Sequence, residues 1–176
     1  APAGISLREL VDEYCGGMAD GHSLYAYLPG GASGGILPAS MADIPLDFDT
    51  LQAHGCFIGS AAVVVLGDKD RARDAALNVM RFFADESCGQ CTPCREGSLW
   101  MKKITDRIVA GGGVEKDPDT LKSVADNIAG KTICAFGEAC SWPTQSFVAK
   151  FRDEFTAKAS KLLPPPMPPE YTTEEL

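Results

Sequence analysis

Three cysteines stand at Cys88, Cys91 and Cys94, with two residues between each and the next, followed by Arg95-Glu96-Gly97. Thiolates at that spacing can face one centre from a short segment, with Gly89 and Pro93 letting the backbone fold around it. Thiolate is the soft ligand of zinc and of iron–sulfur clusters, and a cubane cluster takes four cysteines. Gly97 and Ser98 occupy the place where the bacterial ferredoxin pattern puts its fourth cysteine, so that ligand must come from a distance. Cys134, in Thr132-Ile133-Cys134-Ala135-Phe136-Gly137, is the preferred candidate, and Cys140 competes for the role. Zinc sites more often pair two separate Cys-x2-Cys knuckles. The pattern therefore favours a [4Fe–4S] cluster on Cys88, Cys91, Cys94 and Cys134, with structural zinc as the alternative.

The elements that position these thiols follow from periodicity. Ile5 to Tyr14 reads as a short helix opened by a Ser6/Glu9 capping box and ended at Gly16-Gly17. Ser23 to Leu28 reads as a strand with Leu24, Ala26 and Leu28 on one face. The glycine run from Gly30 to Gly35 lacks the strand–turn–helix context of a phosphate loop and reads as a close-packed or flexible loop. Asp49 is placed to cap a helical turn, and Ser60 to Leu66 reads as a buried strand. Cys15 reads as a small packing residue. His22 and His54 read as surface or hydrogen-bonded histidines.

After Gly67 the pattern becomes helical. Asp70 to Ala84 carries an apolar stripe, and Glu96 to Ala110 places Trp100, Ile104 and Ile108 in a row. Asp117-Pro118 starts a third helix as cap and first residue. Pro143 starts a fourth, with Phe147, Phe151 and Phe155 in line. The expected fold class is α+β: a small mixed unit over residues 1–67, then a four-helix bundle over 68–162 carrying the cluster. Residues 163–176 are proline-rich and expected to be extended.

Composition narrows the function. The net charge of −8 argues against a nucleic-acid partner. Ala61 to Leu66 is the longest apolar run and is too short to span a bilayer. The seven cysteines and the absence of a charged-then-apolar leader predict a reducing, cytoplasmic setting. Beginning Ala-Pro-Ala, the chain reads as processed or as a fragment. No nucleophile–base pair is present, so no catalytic residue is assigned and the chain alone is not expected to be catalytic. Arg95, Lys102, Lys103 and Lys131 are candidate cations near the cluster, although the two helix lysines read more readily as solvated surface residues.

The stretch Glu86-Ser87-Cys88-Gly89-Gln90-Cys91-Thr92-Pro93-Cys94-Arg95-Glu96-Gly97, together with Thr132-Ile133-Cys134-Ala135-Phe136-Gly137, resembles the family of NADH-oxidising flavoprotein subunits. Its members serve respiratory complex I, NAD-reducing hydrogenases and NAD-dependent formate dehydrogenases. The family's fourth cysteine occupies the Thr-Ile-Cys position, which implies Cys134. Gly4 to Leu10 and Leu28 to Gly31 resemble its β-grasp, soluble-ligand-binding domain. The resemblance covers residues 1 to about 160 and corresponds to the C-terminal portion of such a subunit. It implies FMN and NAD(H) bound in an N-terminal domain that this sequence lacks. The implied partners are that flavin-binding domain, a thioredoxin-like [2Fe–2S] subunit and a larger iron–sulfur or molybdenum catalytic subunit. Segments 34–38, 44–49 and 55–61 look more like the soluble formate dehydrogenase and hydrogenase branch than complex I, with formate dehydrogenase the preferred member. The resulting expectation is an electron relay in a soluble formate dehydrogenase, with complex I or NAD-reducing hydrogenase as alternative settings. A reading of another class is a zinc-stabilised docking module.

Overall fold

The computed structural model describes residues 1–156, so the proline-rich segment lies outside the described residues. Helix α1, Leu7–Glu9, continues as a π turn over Leu10–Tyr14. Its capping box is present: the Glu9 N–H donates to Ser6 Oγ, and Glu9 Oε2 accepts from the Ser6 N–H at 3.0 Å. Gly16 and Gly17 end it with positive φ. Cys15, expected in the packing, is exposed.

Strands β1 (Leu24–Leu28), β2 (Leu37–Pro38) and β3 (Val64–Gly67) form an antiparallel sheet in the order β2-β1-β3. A register shift between Leu24 and Ala26 breaks the strict alternation of β1. Leu24 therefore packs with Tyr27 on one face, while Tyr25, Ala26 and Leu28 pack on the other. This corrects the expected Leu24/Ala26/Leu28 face; an extra residue in one strand moves everything beyond it to the opposite side. The expected buried strand over Ser60 to Leu66 is also corrected. Ala61 takes φ 56°, which interrupts the extended backbone, and β3 begins at Val64 on the sheet edge with Val64 and Val65 exposed. Helix α2, Thr50–Ala53, is held by Asp47 rather than Asp49: the Thr50 N–H donates to Asp47 Oδ1 at 2.6 Å.

Helices α3 (Ala72–Glu86), α4 (Thr92–Val109), α5 (Asp117–Ile128) and α6 (Phe136–Lys150) make the second layer, followed by a 3₁₀ turn at Arg152–Phe155. Ala72, Ala76, Met80 and Phe83 form the buried row of α3. Helix α4 buries Cys94, Gly97, Ser98, Met101, Thr105 and Ile108, while Trp100 points outward. An apolar-only pattern misses this face because half of it is small or polar. Gly97 brings α5 close: a Cβ there would lie 2.6 Å from Ile128 Cδ1. Asp117 is not the cap of α5. Its buried carboxylate accepts the Val114 N–H at 2.8 Å and pairs with Arg107.

Helix α6 starts seven residues before Pro143, which sits inside it. The sequence signal misleads because an interior proline, which lacks the N–H for the preceding turn, carries the same residue identity as a helix start. Phe147 and Phe155 are fully buried, and Phe151 packs against Tyr25 with ring centroids 5.5 Å apart. Two cores result. One joins α3–α6 with Ala26, Leu28 and Ile36; the other gathers Leu7, Val11, Tyr27, Leu37, Leu46, Leu51 and Cys56. Strand β1 supplies both.

Candidate metal centre

Cys88 lies in the link after α3, where Gly89 takes φ +79°. Cys91 is the N-cap of α4 and Cys94 lies in its first turn. The triplet thus spans a loop and a helix start rather than a loop alone. Pro93 in that first turn is the sequence signal that could have marked the start. Cys134 lies in the link between α5 and α6, two residues before Phe136. All four cysteines line one cavity of about 200 Å³, with Glu86, Ser87, Thr132, Ile133, Phe136 and Gly137 completing the wall.

Local bonds shape both sides of this cavity. Arg95 Nη1 donates to the Gly89 carbonyl at 2.8 Å, and its Nε donates to Glu96 at 2.9 Å, so Arg95 clasps the turn between Cys88 and Cys91. Ser87 Oγ lies 3.4 Å from Cys94 Sγ and accepts the Gly89 N–H. On the opposite side Thr132 Oγ1 donates to the Cys134 carbonyl at 2.9 Å. A Cβ on Gly137 would meet Thr132 Oγ1 at 2.1 Å, so only glycine lets α6 begin so near that link. The Glu138 carboxylate accepts the Gly130 N–H at 2.8 Å and fixes the link's entry. Lys131 turns to the end of α5, donating to Asn127 Oδ1 at 2.8 Å.

Neither α4 nor α6 has a side-chain N-cap, and both begin at this cavity. The positive ends of two helix dipoles therefore lie beside the thiols. Sequence reasoning did not find this pairing, because it placed both helix starts later.

Cys140 lies inside α6 and is buried, its Sγ donating to the Gly137 carbonyl at 3.3 Å. Burial, with Cys94 beside it, pushes its thiol up to about 12. It is not among the residues that line the cavity. Cys56 is buried among the residues of the second core, away from the other thiols. His22 Nδ1 pairs with Asp68 at 2.9 Å, as a surface histidine would.

The donor set fits a polynuclear cluster. Four soft thiols line a single cavity of about 200 Å³, whereas Zn–S bonds of about 2.3 Å would draw four sulfurs around a single ion. Among the described residues no group of three His, Cys, Asp or Glu side chains is placed to hold one metal ion. A cubane with four thiolates carries a net charge of about −2, which two helix N-termini favour.

Residues 74–158 match the family described as the NADH-ubiquinone oxidoreductase-F iron-sulfur binding region. The F component of the NADH-quinone oxidoreductase of Rickettsia typhi is 43% identical over 155 residues, covering 86% of this chain and 36% of that protein. The mitochondrial NADH dehydrogenase (ubiquinone) flavoprotein 1 of Dictyostelium discoideum is 43% identical over 152 residues, covering 85% of this chain and 32% of that protein. A solved NAD⁺-reducing [NiFe]-hydrogenase in the H2-reduced state superposes with a TM-score of 0.77 at 28% identity, covering 91% of this chain and 26% of the matched one. The chain spans about a third of the length of these curated relatives.

Proposed function

We propose, from the match of residues 74–158 to the NADH-ubiquinone oxidoreductase-F iron-sulfur binding region, that this chain is the electron-relay portion of an NAD(H)-linked oxidoreductase subunit. The observation that carries the reading is the convergence of Cys88, Cys91, Cys94 and Cys134 on one cavity where two helices begin. A [4Fe–4S] cluster held there supplies one-electron chemistry. Cys88, Cys91, Cys94 and Cys134 are its ligands in this proposal. Arg95 holds the first turn in shape, and the N-terminal ends of α4 and α6 lie at the cavity.

The relay runs between FMN, bound in a part of the subunit beyond these residues, and clusters in partner subunits. The proposed partners are a thioredoxin-like [2Fe–2S] subunit and a larger iron–sulfur or molybdenum subunit. The relatives named above support a complex I or NAD-reducing hydrogenase setting. A formate dehydrogenase setting rests on segments 34–38, 44–49 and 55–61 alone. We further propose residues 1–67 as a β-grasp unit and 68–162 as the cluster-bearing bundle. No helix of the described residues is long and apolar enough to cross a membrane, and a cytoplasmic location is part of the proposal.

Anaerobic purification tests the reading. The protein should be brown, with iron and sulfide in about equal amounts. One zinc and no sulfide would sink it in favour of the docking module. Dithionite should bleach the visible absorption, whereas NADH should do so only when a flavin-bearing partner is added, because splitting a hydride into single electrons requires a flavin.

A further inference from the structure

A second cavity of the described residues lies elsewhere, between the 52–59 segment and the last turns of α6, with a volume of about 1010 Å³. That size suits a small-molecule cleft. Phe57 and Trp142 meet edge to face on its wall, with centroids 5.4 Å apart, and Phe48 stands exposed at the rim. Lys150 is the one lysine or arginine of the lining among the described residues, and His54 stands with it. Among the described residues no carboxylate lines the cavity, although the chain carries 24 Asp and Glu residues and a net charge of −8. The local sign is thus opposite to that of the molecule.

The wall is built before any ligand arrives. The Phe57 N–H donates to the Gly34 carbonyl at 3.1 Å. A Cβ on Gly30 would lie 2.2 Å from the Phe57 carbonyl oxygen, so the glycine run exists here to let the 57–59 backbone pack onto it. The Lys150 ammonium is oriented by one bond to Ser146 Oγ at 2.8 Å and lies 3.8 Å from Cys56 Sγ. A fixed aromatic wall with one half-buried cation is a recognition pattern for a ring that carries a negative group.

We propose that this cavity binds a small aromatic carboxylate, its ring against Phe57 and Trp142 and its carboxylate on Lys150. Burial already holds the lysine below its ordinary pKa, with Cys56 opposing that shift, and a bound anion would relieve this cost of burying the ammonium. The inference is independent of the cluster assignment.

The test uses the full cluster-loaded chain, 2-naphthoate, and its neutral counterpart 2-naphthamide. Calorimetry measures affinity. The Trp142 indole N–H, read in a Trp100→Phe background, locates binding, since the chain has two tryptophans. The acid should bind about tenfold more tightly than the amide, the worth of one charge-assisted contact. Lys150→Met should remove that preference and Lys150→Arg should keep part of it. Equal binding of acid and amide would show a merely apolar groove, the seat of a polypeptide segment, and overturn the proposal. So would a preference that survives Lys150→Met, or heat without movement of the Trp142 signal. Should Lys150→Met fail to fold, the acid–amide comparison in the unsubstituted lysine background still decides.

Discussion

Cys134 and Cys140 stand six residues apart and meet opposite surroundings. Cys134 is exposed on the cavity wall, while Cys140 is buried and donates to the Gly137 carbonyl at 3.3 Å. Cys134→Ser should therefore lose or degrade the cluster, as should Cys88→Ser, Cys91→Ser and Cys94→Ser, while Cys140→Ala should keep a full complement. Iron and sulfide content and the spectrum of the reduced state check this, and the reverse result would exchange the two roles. Arg95 gives a second prediction. Its guanidinium spans Gly89 and Glu96 with a fork that lysine cannot reproduce. Arg95→Ala should release iron to a chelator about tenfold faster, with Arg95→Lys in between, on the scale of one charge-assisted hydrogen bond of about 1.5 kcal/mol. An unchanged release rate would mean that Arg95 is only a surface residue. The triplet itself was legible because thiols at x2 spacing have few other uses. Their separation from Cys140 was legible only as a preference, since nothing in Cys134 to Cys140 states which thiol turns toward the core.

Helix α6 is the element that sequence reasoning placed least well, and it is the one that brings the fourth thiol to the site. Pro143 resembles a first helical residue, and the stretch before it, Phe136 to Trp142, mixes small, acidic and aromatic residues without a clear stripe. The reason is that α6 is covered on several sides: Gly137, Cys140, Ser141, Thr144, Phe147 and Val148 are all buried. A helix without a polar face has little amphipathic period to read. The stripes of α3 and α5 were legible because each has one wet side. The start of α6 rests on Gly137, whose missing Cβ leaves room for Thr132. Gly137→Ala should push the 132–134 link away from α6, costing about 1–3 kcal/mol by overpacking and shortening the lifetime of the bound iron. A Gly130→Ala control has no steric conflict, although its φ of +71° carries its own backbone strain. Thermal denaturation and chelator kinetics separate the two: both variants should lose stability, but only Gly137→Ala should also lose iron early.

At the scale of the molecule, the change of pattern at Gly67 suggests two halves, yet strand β1 is shared between their cores. Ala26 and Leu28 belong to the helical core, and Tyr27 to the other. Polar bonds cross the same seam. Tyr25 donates to Glu154, whose second oxygen accepts the Arg73 N–H at 3.2 Å. The Ile36 N–H donates to Ser146 Oγ at 3.0 Å, and that hydroxyl lies 3.2 Å from the Ile36 carbonyl. This sharing was not legible from periodicity, because the shift at Leu24/Ala26 that splits β1 between two faces has no residue-type signature. Its consequence is thermodynamic. A residue that bridges both cores should destabilise both together when it is removed. Ser146→Ala leaves the buried Ile36 N–H without its partner, a loss of about 1–3 kcal/mol. If the halves fold as one unit, native-state hydrogen exchange should report the same loss of protection at Tyr27 in one core and at Met80 in the other, and urea unfolding should stay a single transition with coincident probes. A loss confined to one of these two amides, or two separated transitions, would show that the halves are independent and that β1 is only a contact between them.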